Sequence, residues 1–314
     1  MRPVTDRHEE SLVKPDASVN SSNIVEPQMG RTAFSWTTAT IGYYEQTLLD
    51  YRTVWLNPSN LAFHFGFHDH EHRSHAEALE NTNRTLARIG GITAGDRVLD
   101  AGCGLGGSSF WLAEHVGAQV MGITLCQSQV DQARSIATRR RLTDSVRFER
   151  ADFTTTGFPA GSFDVVWAVE SICHAETKSR FYREAARLLR PGGRLVIAEF
   201  IRTTRTLNQY AEQVMREWLD GWAIPDLDTE WEHIDAAAAA GFSNISLRDC
   251  TIFTRPSLAR LYRMAALAAP LNEVLYRLGL RNQAQHRNVI ASVRQYQALE
   301  TDSWFYGVLS ATKQ

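Results

Sequence analysis

The chain has 314 residues, of which 44% are hydrophobic and 22% charged, and its formal net charge is −2. This length and composition predict a globular protein with one large core, and they exclude a fibrous or a disordered chain. The slightly acidic balance argues against a protein built mainly to hold nucleic acid, because that task requires a strong basic excess. The four cysteines stand far apart without a CxxC pair, so neither a zinc site nor a disulfide framework is predicted.

Residues 1–37 predict a mobile tail. Its beginning, MRPVTDRHEESLVKPDASVNSSN, is polar and charged and lacks the apolar core of a secretion signal. Together with the cysteine pattern, this predicts a protein of the reducing cytoplasm. The longest small-apolar stretch, MAALAAPL from Met264, is too short for a bilayer and contains a proline, so no membrane span is expected.

Residues 38–90 predict a helical cap in front of the sheet. Apolar residues recur with helical spacing from Tyr43 to Ile89, and the pair Gly90 and Gly91 closes the pattern.

Residues 91–314 predict the core, because strands and helices alternate there. Five segments have the composition of strands, and helical segments separate them: RVLDAG, QVMGIT, VRFERAD, FDVVWAVE and RLVIAEFI. That rhythm is typical of parallel βαβ units in a doubly wound α/β fold. WFYGVLSATK predicts a last strand, paired as an antiparallel hairpin with ISLRDCT. Two helical insertions, at about 206–230 and 256–297, are expected near the ligand edge of the sheet.

A glycine-rich turn follows the first strand in VLDAGCGLGG. Asp100 ends the strand, and Gly102, Gly104 and Gly106 allow a ligand to approach the backbone closely. Structural turns and dinucleotide sites use similar glycines. However, Asp100 would repel a pyrophosphate near the turn. A cationic ligand suits this turn better.

Four segments resemble, in order and spacing, the motifs of class I S-adenosylmethionine-dependent methyltransferases: VLDAGCGLGG, ADF, FDVVWAVE and LLRPGGRLVIAEF. The resemblance covers roughly residues 97–202. It implies S-adenosylmethionine as cofactor and a Rossmann-like fold, with a mostly parallel seven-stranded sheet whose final strand is antiparallel. GITLCQSQ replaces the usual acidic ribose ligand, as in cyclopropane synthase and tocopherol methyltransferase relatives. The implied cofactor-binding residues are Asp100, Gly102, Gly104, Thr124, Leu125, Gln129, Asp152 and Phe153.

Glu170 ends the apolar run FDVVWAVE, where a buried parallel strand meets the ligand crevice. It could be a helix-capping or surface-paired carboxylate. In a functional role it would be a general base for an oxygen or nitrogen nucleophile, or it would take a proton from a carbocation. His174 is the second candidate base.

Aromatic residues in NQYAEQVMREWLDGW place Trp218 and Trp222 on one helical face, with Tyr210 slightly earlier. Most such stripes are core packing. In a dry pocket, however, each aromatic face could stabilise a cation by about 1–2 kcal/mol. The opposite wall is expected from Tyr43, Tyr44, Tyr51 and Trp55.

Positive charge is concentrated in residues 256–297, where Glu273 is the one acidic residue among six arginines. A solvated face is the ordinary interpretation. The alternative is a basic lid over an anionic substrate, because arginine suits phosphate. Arg202 and Arg205, just past the fifth strand, are predicted to face the same opening. The six arginines are Arg260, Arg263, Arg277, Arg281, Arg287 and Arg294.

The segment HFGFHDHEHRSH is rich in histidine. His64, His68 and His72 have the i, i+4 spacing of helical metal ligands, but no cysteine and no HExxH accompany them. A polar surface segment is therefore the favoured prediction. A magnesium ion held through substrate phosphates would leave only a weak signature, so the metal ligands stay open.

Over most of the chain after about residue 38, these features together resemble the geranyl diphosphate C-methyltransferases. This resemblance implies methyl transfer to an alkene carbon of an isoprenyl diphosphate, with geranyl diphosphate as first candidate and C6 favoured over C2. Glu170 would then deprotonate the resulting tertiary cation, and Mg²⁺ would be bound through the diphosphate. The implied substrate-binding residues are Tyr51, Arg202, Tyr210, Trp218 and Trp222.

Two other functions remain open from the sequence. One is an O- or N-methyltransferase of a small natural product, and the other is a non-catalytic S-adenosylmethionine-binding module. A homo-oligomer is compatible with either.

Overall fold

Seven strands form one mixed sheet in the computed structural model, which describes residues 36–50 and 60–314. Their order across the sheet is β3-β2-β1-β4-β5-β7-β6. Six strands run in one direction, and β7 lies antiparallel between β5 and β6. The predicted Rossmann-like α/β fold is confirmed. The strands are β1 (Arg97–Ala101), β2 (Gln119–Thr124), β3 (Val146–Arg150), β4 (Phe163–Val169), β5 (Leu189–Arg202), β6 (Phe242–Asp249) and β7 (Trp304–Lys313).

Helices cover both faces of this sheet. Alternate residues of the central strands enter two separate hydrophobic cores, with Val98 and Trp167 on one face and Leu99 and Val166 on the other. The helices are α1 (Trp36–Asp50), α2 (His75–Ile89), α3 (Gly107–Trp111), α4 (Gln127–Arg140), α5 (Lys178–Leu188), α6 (Gln209–Gly221), α7 (Glu230–Ala239), α8 (Thr251–Arg277) and α9 (Gln283–Glu300). None of them combines the length and apolar content that a bilayer crossing needs, within the described ranges.

The position of the functional site follows from the strand order. Going outward from the middle of the sheet, the chain order reverses between β1 and β4. In an open α/β sheet, a crevice forms at the carboxyl ends of the two strands that flank such a switch point. Asp100 lies near the end of β1, and Glu170 directly follows β4.

A cap loop, residues 60–74, covers this edge. Its backbone is fixed at two places: the Phe67 N–H donates to Ala78 O in α2 (2.9 Å), and the His68 N–H donates to Phe253 O in α8 (2.8 Å). His64, Phe65 and Phe67 are buried, so the prediction of a polar surface segment is wrong for this half of the loop. The loop is not helical, which also removes the i, i+4 geometry proposed for its histidines.

The last strand pairs as predicted but is connected differently. β6 and β7 are antiparallel neighbours, yet α8 and α9 lie between them in the chain, so they do not form a hairpin.

The predicted tail over residues 1–37 and the side chains of Tyr51 and Trp55 lie outside the described residues, except for the first two residues of α1.

Trp218 in α6 is a core residue in this fold. Its ring is fully buried and packs against Phe200, Trp222 and Trp304 at centroid distances of 5.5, 6.0 and 5.0 Å. This packing corrects the prediction that Trp218 binds substrate, because neighbouring rings surround its own.

Trp218→Ala is expected to lower the free energy of unfolding by about 3–5 kcal/mol, the usual cost of removing a large buried aromatic side chain. Urea unfolding followed by circular dichroism measures this change. The matched control is Trp231→Ala in α7, because Trp231 is 72% exposed. Equal stability of the two variants would contradict the core assignment.

Candidate active site

A cavity of about 880 Å³, partly open to solvent, lies at the carboxyl edge of β1, β2 and β4. The cap loop and α1 contribute to its walls. The structure brings seven of the eight predicted cofactor-binding residues to this one cavity, from segments far apart in sequence. These residues are Asp100, Gly102, Gly104, Thr124, Leu125, Gln129 and Phe153.

The turn after β1 requires glycine at Gly102. The residue has φ +93°, and a Cβ at this position would lie only 2.3 Å from the Cβ of Ser171. Ser171 is fixed there because its hydroxyl donates to Ala101 O at 2.6 Å. The close approach of these two segments joins the ends of β1 and β4 at the cavity floor.

Asp100 is buried and accepts a hydrogen bond from the Ser109 hydroxyl at 2.6 Å. Burial raises the pKa of Asp100 to about 6, and the bond from Ser109 opposes that rise. The carboxylate therefore carries most of its charge at pH 7, on the wall of the main cavity. A cationic ligand group is the natural partner for it.

The ribose-side candidates hold one another in place. The Thr124 hydroxyl donates to Gln129 Oε1 at 2.6 Å, and both side chains are buried. Asp152 does not reach the main cavity. It lines a smaller neighbouring cavity with Phe153, and it accepts hydrogen bonds from the backbone N–H and the hydroxyl of Thr154.

Glu170 is held from two sides of the cavity. Its Oε1 accepts a hydrogen bond from the Phe65 N–H at 2.7 Å and another from the Tyr306 hydroxyl at 2.8 Å. Its backbone has φ +49°, a left-handed conformation that costs a non-glycine residue roughly 1–2 kcal/mol. Strain of this kind persists only where the surroundings impose it, here by ending β4 in a sharp turn.

Burial raises the pKa of Glu170 to about 8, against the opposing hydrogen bonds from Phe65 and Tyr306. The nearby Glu199 raises it further. Glu199 is itself buried in β5, accepts the backbone N–H groups of Cys173 and Phe200 at 2.9 Å each, and has a pKa raised by burial to about 7. Without a ligand, Glu170 is therefore mostly protonated at pH 7.

His174 lies beside Glu170 and is neutral. Its Nδ1 donates to Ala223 O at 3.3 Å, which leaves Nε2 to accept from the Tyr44 hydroxyl at 3.0 Å. Burial lowers the pKa of His174 to about 4. The basic nitrogen thus points towards α1, and both side chains line the main cavity.

His64 supplies a second neutral imidazole to the same cavity. Its Nδ1 donates to Phe65 O at 3.0 Å, and among the described residues its buried Nε2 has no hydrogen-bonding partner. Burial lowers the pKa of His64 to about 4. The free lone pair can accept a hydrogen bond from a ligand.

A smaller cavity of about 340 Å³ adjoins the main one behind Glu170. Among the predicted substrate residues, Trp222 lines it, together with Tyr43, Phe63 and Phe200. Tyr210 is 60% exposed and lines neither cavity, so it does not face a substrate in this structure. Tyr51 lies outside the described residues.

Arg202 is buried in an ion-pair network away from both cavities. Its guanidinium contacts Glu212, Asp226 (3.2 Å) and Thr204 O (2.9 Å). Arg205 pairs in turn with Glu232 at 2.6 Å. This corrects the prediction of Arg202 as a diphosphate ligand, because its donors already have protein acceptors.

No lysine or arginine lines either cavity in the part of the chain that the structure describes. The predicted basic lid over residues 256–297 is therefore not part of the cavity wall. Within the described ranges, no group of three or more His, Cys, Asp or Glu side chains is placed to hold a metal ion.

Tyr306 and Phe65 hold the carboxyl group of Glu170, and the sequence indicated neither of them. Tyr306 is 136 positions from Glu170 in the chain, and Phe65 is 105 positions away. WFYGVLSATK showed only the composition of a strand. HFGF weakly indicates a buried segment, since two phenylalanines on either side of a glycine are uncommon in a polar surface segment.

Residues 99–197 match a family model described as a methyltransferase domain. The 27-O-demethylrifamycin SV methyltransferase of Amycolatopsis mediterranei (strain S699) is 36% identical over 196 residues, or 62% of this chain and 71% of that relative. The chain therefore belongs to the class I S-adenosylmethionine-dependent methyltransferases, and it is an enzyme rather than a non-catalytic binding module.

Two solved structures share the fold at low sequence identity. The cyclase SpnF has a TM-score of 0.71 and 22% identity, covering 88% of this chain and 96% of its own. Geranyl diphosphate C-methyltransferase from Streptomyces coelicolor A3(2), solved with Mg²⁺, geranyl diphosphate and S-adenosyl-L-homocysteine, has a TM-score of 0.68 and 20% identity. Its alignment covers 90% of this chain and 99% of that structure.

The main cavity fits S-adenosylmethionine by charge as well as by position. The cofactor carries a sulfonium and an ammonium group, and the cavity offers the carboxyl groups of Asp100 and Glu170 with no opposing cation among its described lining residues. We therefore assign Asp100, Gly102, Gly104 and Gln129 to cofactor binding as a prediction.

Asp100→Asn is expected to weaken S-adenosylmethionine binding about tenfold or more, because a charge-assisted hydrogen bond is lost. Isothermal titration calorimetry measures the affinity. Asp131→Asn, at an exposed position of α4, is the matched control and keeps the parent affinity. Unchanged binding by a folded Asp100→Asn protein would remove Asp100 from the cofactor site.

Glu170→Gln is expected to change how stability depends on pH. The pKa of Glu170 is about 8 in the folded protein and 4.5 in the unfolded chain. Between these pH values the unfolded chain releases a proton that the folded protein keeps. The parent is therefore most stable, with respect to Glu170, below pH 4.5, and it loses stability as the pH rises to 8. Glutamine keeps the neutral shape throughout. Urea unfolding at pH 5, 6, 7 and 8 should therefore show the variant gaining on the parent, by at most about 1.4 kcal/mol per pH unit. A constant difference would contradict a buried neutral carboxyl group.

Proposed function

We propose that this enzyme methylates an alkene carbon of an isoprenyl diphosphate, and that Glu170 removes a proton from the carbocation that forms. Geranyl diphosphate is the first candidate, with C6 favoured over C2. The observation that carries this proposal is the position of one buried carboxyl group between two adjoining cavities, the smaller of which has largely aromatic walls.

Aromatic rings suit a cationic intermediate. Tyr43, Tyr44, Phe63, Phe200 and Trp222 line the smaller cavity behind Glu170. Their faces can stabilise a cation by roughly 0.5–2 kcal/mol each when water is absent. They offer few groups that could add to the cation, so loss of a proton to Glu170 becomes its preferred fate.

Glu170 must be ionised to accept that proton. When bound, S-adenosylmethionine supplies an electrophilic methyl group on a positively charged sulfur. A positive charge beside Glu170 lowers the pKa of its carboxyl group and favours the carboxylate. After methylation, a C–H bond next to the cationic carbon breaks, its electron pair forms the new double bond, and its proton moves to Glu170. The Tyr306 hydroxyl and the Phe65 N–H keep the accepting oxygen in position.

The geranyl diphosphate C-methyltransferase of Streptomyces coelicolor has the same fold as this chain, and this shared fold is its only support for the proposed substrate class. The cavities here contain no described lysine or arginine, so they suit the hydrocarbon chain. The diphosphate would lie towards the opening, with Mg²⁺ held largely by its own oxygens.

O-methylation of a natural product is the second candidate. It is favoured by the neutral His174, whose Nε2 accepts a hydrogen bond from the Tyr44 hydroxyl and could accept one from a substrate hydroxyl that takes the place of Tyr44. The rifamycin methyltransferase relative adds to this alternative. His174 would then be the general base, and Glu170 would serve a supporting role.

Glu170→Gln is expected to lower turnover of geranyl diphosphate by about a hundredfold to a thousandfold, because the base and its charge act on the reacting cation. Calorimetry should show that the variant still binds the cofactor, although more weakly than the parent, so turnover is compared at saturating cofactor. Mass spectrometry then detects one added methyl group in the parent product, and NMR identifies the carbon.

His174→Gln is the comparison that separates the two functions. For alkene methylation, this variant keeps most of the turnover that Glu170→Gln loses. If His174→Gln is instead the inactive variant, and a hydroxylated acceptor is methylated while geranyl diphosphate is not, the proposal fails in favour of O-methylation.

A further inference from the structure

Glu199 is a buried carboxyl group that lines neither the main cavity nor the smaller one. It lies near the carboxyl end of β5 and is 1% exposed. Its neighbours in the strand, Ala198 and Phe200, belong to the core on the side of the smaller cavity, so the Glu199 side chain points to the opposite face, which α5 covers. A carboxyl group is costly to bury unless it has partners, so its position requires an explanation.

The turn that follows β4 carries both candidate bases. Glu170 begins it with a positive φ, and His174 ends the single 3₁₀ turn Ile172–His174. The first N–H groups of so short a turn have no partner within it. Ser171, which precedes the turn, does not cap it, because its hydroxyl donates to Ala101 O instead. The acceptor for these N–H groups must therefore come from another element.

Glu199 supplies that acceptor from the adjacent strand. Its Oε2 accepts the Cys173 N–H at 2.9 Å, and its Oε1 accepts the Phe200 N–H at 2.9 Å. One residue earlier in β5, Ala198 O accepts the Glu170 N–H at 2.8 Å. β5 therefore holds the turn at two points, one at its start and one in its middle.

We propose that Glu199 is a positioning residue whose carboxylate fixes the turn 170–174, and with it both candidate bases, against β5. Without this contact the buried Cys173 N–H would lose its acceptor, and the turn would be free to move. A displacement of about 1 Å at a reacting group can cost about a hundredfold in rate. The proposal holds for either candidate function, because the turn carries Glu170 as well as His174.

Lys178 favours the form of Glu199 that this role requires. It is the first residue of α5, four positions after His174, and it is 3% exposed. Burial raises the pKa of Glu199 to about 7, and the hydrogen bonds from Phe200 and Cys173 and the charge of Lys178 oppose that rise. The ionised carboxylate accepts at both oxygens, which matches its two N–H donors.

Two substitutions separate the position of Glu199 from its charge. Glu199→Asp keeps the charge but is shorter by one CH₂ group, so it cannot reach the Cys173 N–H. Glu199→Gln keeps the length but loses the charge and one acceptor oxygen. Both should lower kcat about tenfold to a hundredfold at saturating cofactor and acceptor. The acceptor is geranyl diphosphate, or a hydroxylated compound if the parent methylates that instead.

The pH profile of kcat is a readout that a merely structural role would not move. With geranyl diphosphate it rests on the proposed function, in which turnover rises as Glu170 loses its proton. The charge of Glu199 raises the pKa of Glu170, so Glu199→Gln should move this rise to lower pH, whereas Glu199→Asp should not. The other titratable groups that act on this pair are the same in all three proteins: Cys173, Lys178, Tyr182 and Tyr306.

Hydrogen exchange tests the inference without any acceptor. Mass spectrometry should show faster exchange of the amides in residues 171–175 in both variants, because the Cys173 N–H is no longer held. Glu184→Gln is the matched control. Glu184 in α5 is also buried and accepts a backbone N–H, that of Thr156 at 2.9 Å, but it lines neither cavity. This control should keep the parent kcat and the parent exchange in residues 171–175.

Circular dichroism checks that the variants fold, and Glu199→Asp alone carries the test if Glu199→Gln does not. Folded variants with the parent kcat and the parent exchange would overturn the proposal. An equal loss of kcat in Glu184→Gln would also overturn it. If the parent does not methylate geranyl diphosphate, the proposed function fails, whereas faster exchange in residues 171–175 still supports the role of Glu199.

Discussion

The site depends on one buried carboxyl group. Glu170 lies where a charge is costly, and its two hydrogen bonds do not offset that cost, so its pKa stays near 8. A positive ligand removes the penalty, because it makes the ionised form favourable in the same place. The two cavities can therefore support a reaction in which a positively charged group lies beside Glu170. An anionic group is disfavoured in the same space.

Three parts of the chain converge to build this arrangement. Glu170 directly follows β4, the cap loop contributes the Phe65 N–H, and β7 contributes the Tyr306 hydroxyl. Backbone hydrogen bonds fix the cap loop to α2 and α8, so its N–H group cannot move independently of these helices. The acceptor oxygen is thus oriented before any ligand enters, as the proposed role of Glu170 as a base requires.

The sequence predicted the sheet and the grouping of seven candidate cofactor residues around one cavity because the signals for both are local. Asp100 and the glycines after it lie within a few residues of one strand, turn and helix. The substrate side failed for a physical reason: Arg202 is paired with Glu212 and Asp226, and neither pairing follows from counting charges along the chain. Helical spacing likewise cannot distinguish a ring in the core, such as Trp218, from one on a cavity wall, such as Trp222. Tyr306 left no signal, because its partner is far away in sequence.

The place of β7 in the sheet has a consequence for how the enzyme folds. β7 separates β5 from β6, although both of these strands precede it in the chain. Until β7 is synthesised and inserted, the backbone N–H and C=O groups along one edge of β5 have no strand partner, and such an edge can pair with other chains. Pairing across so long a stretch of sequence is slow. The same insertion brings Tyr306 to Glu170, so the step that completes the sheet also gives the carboxyl group its second hydrogen bond.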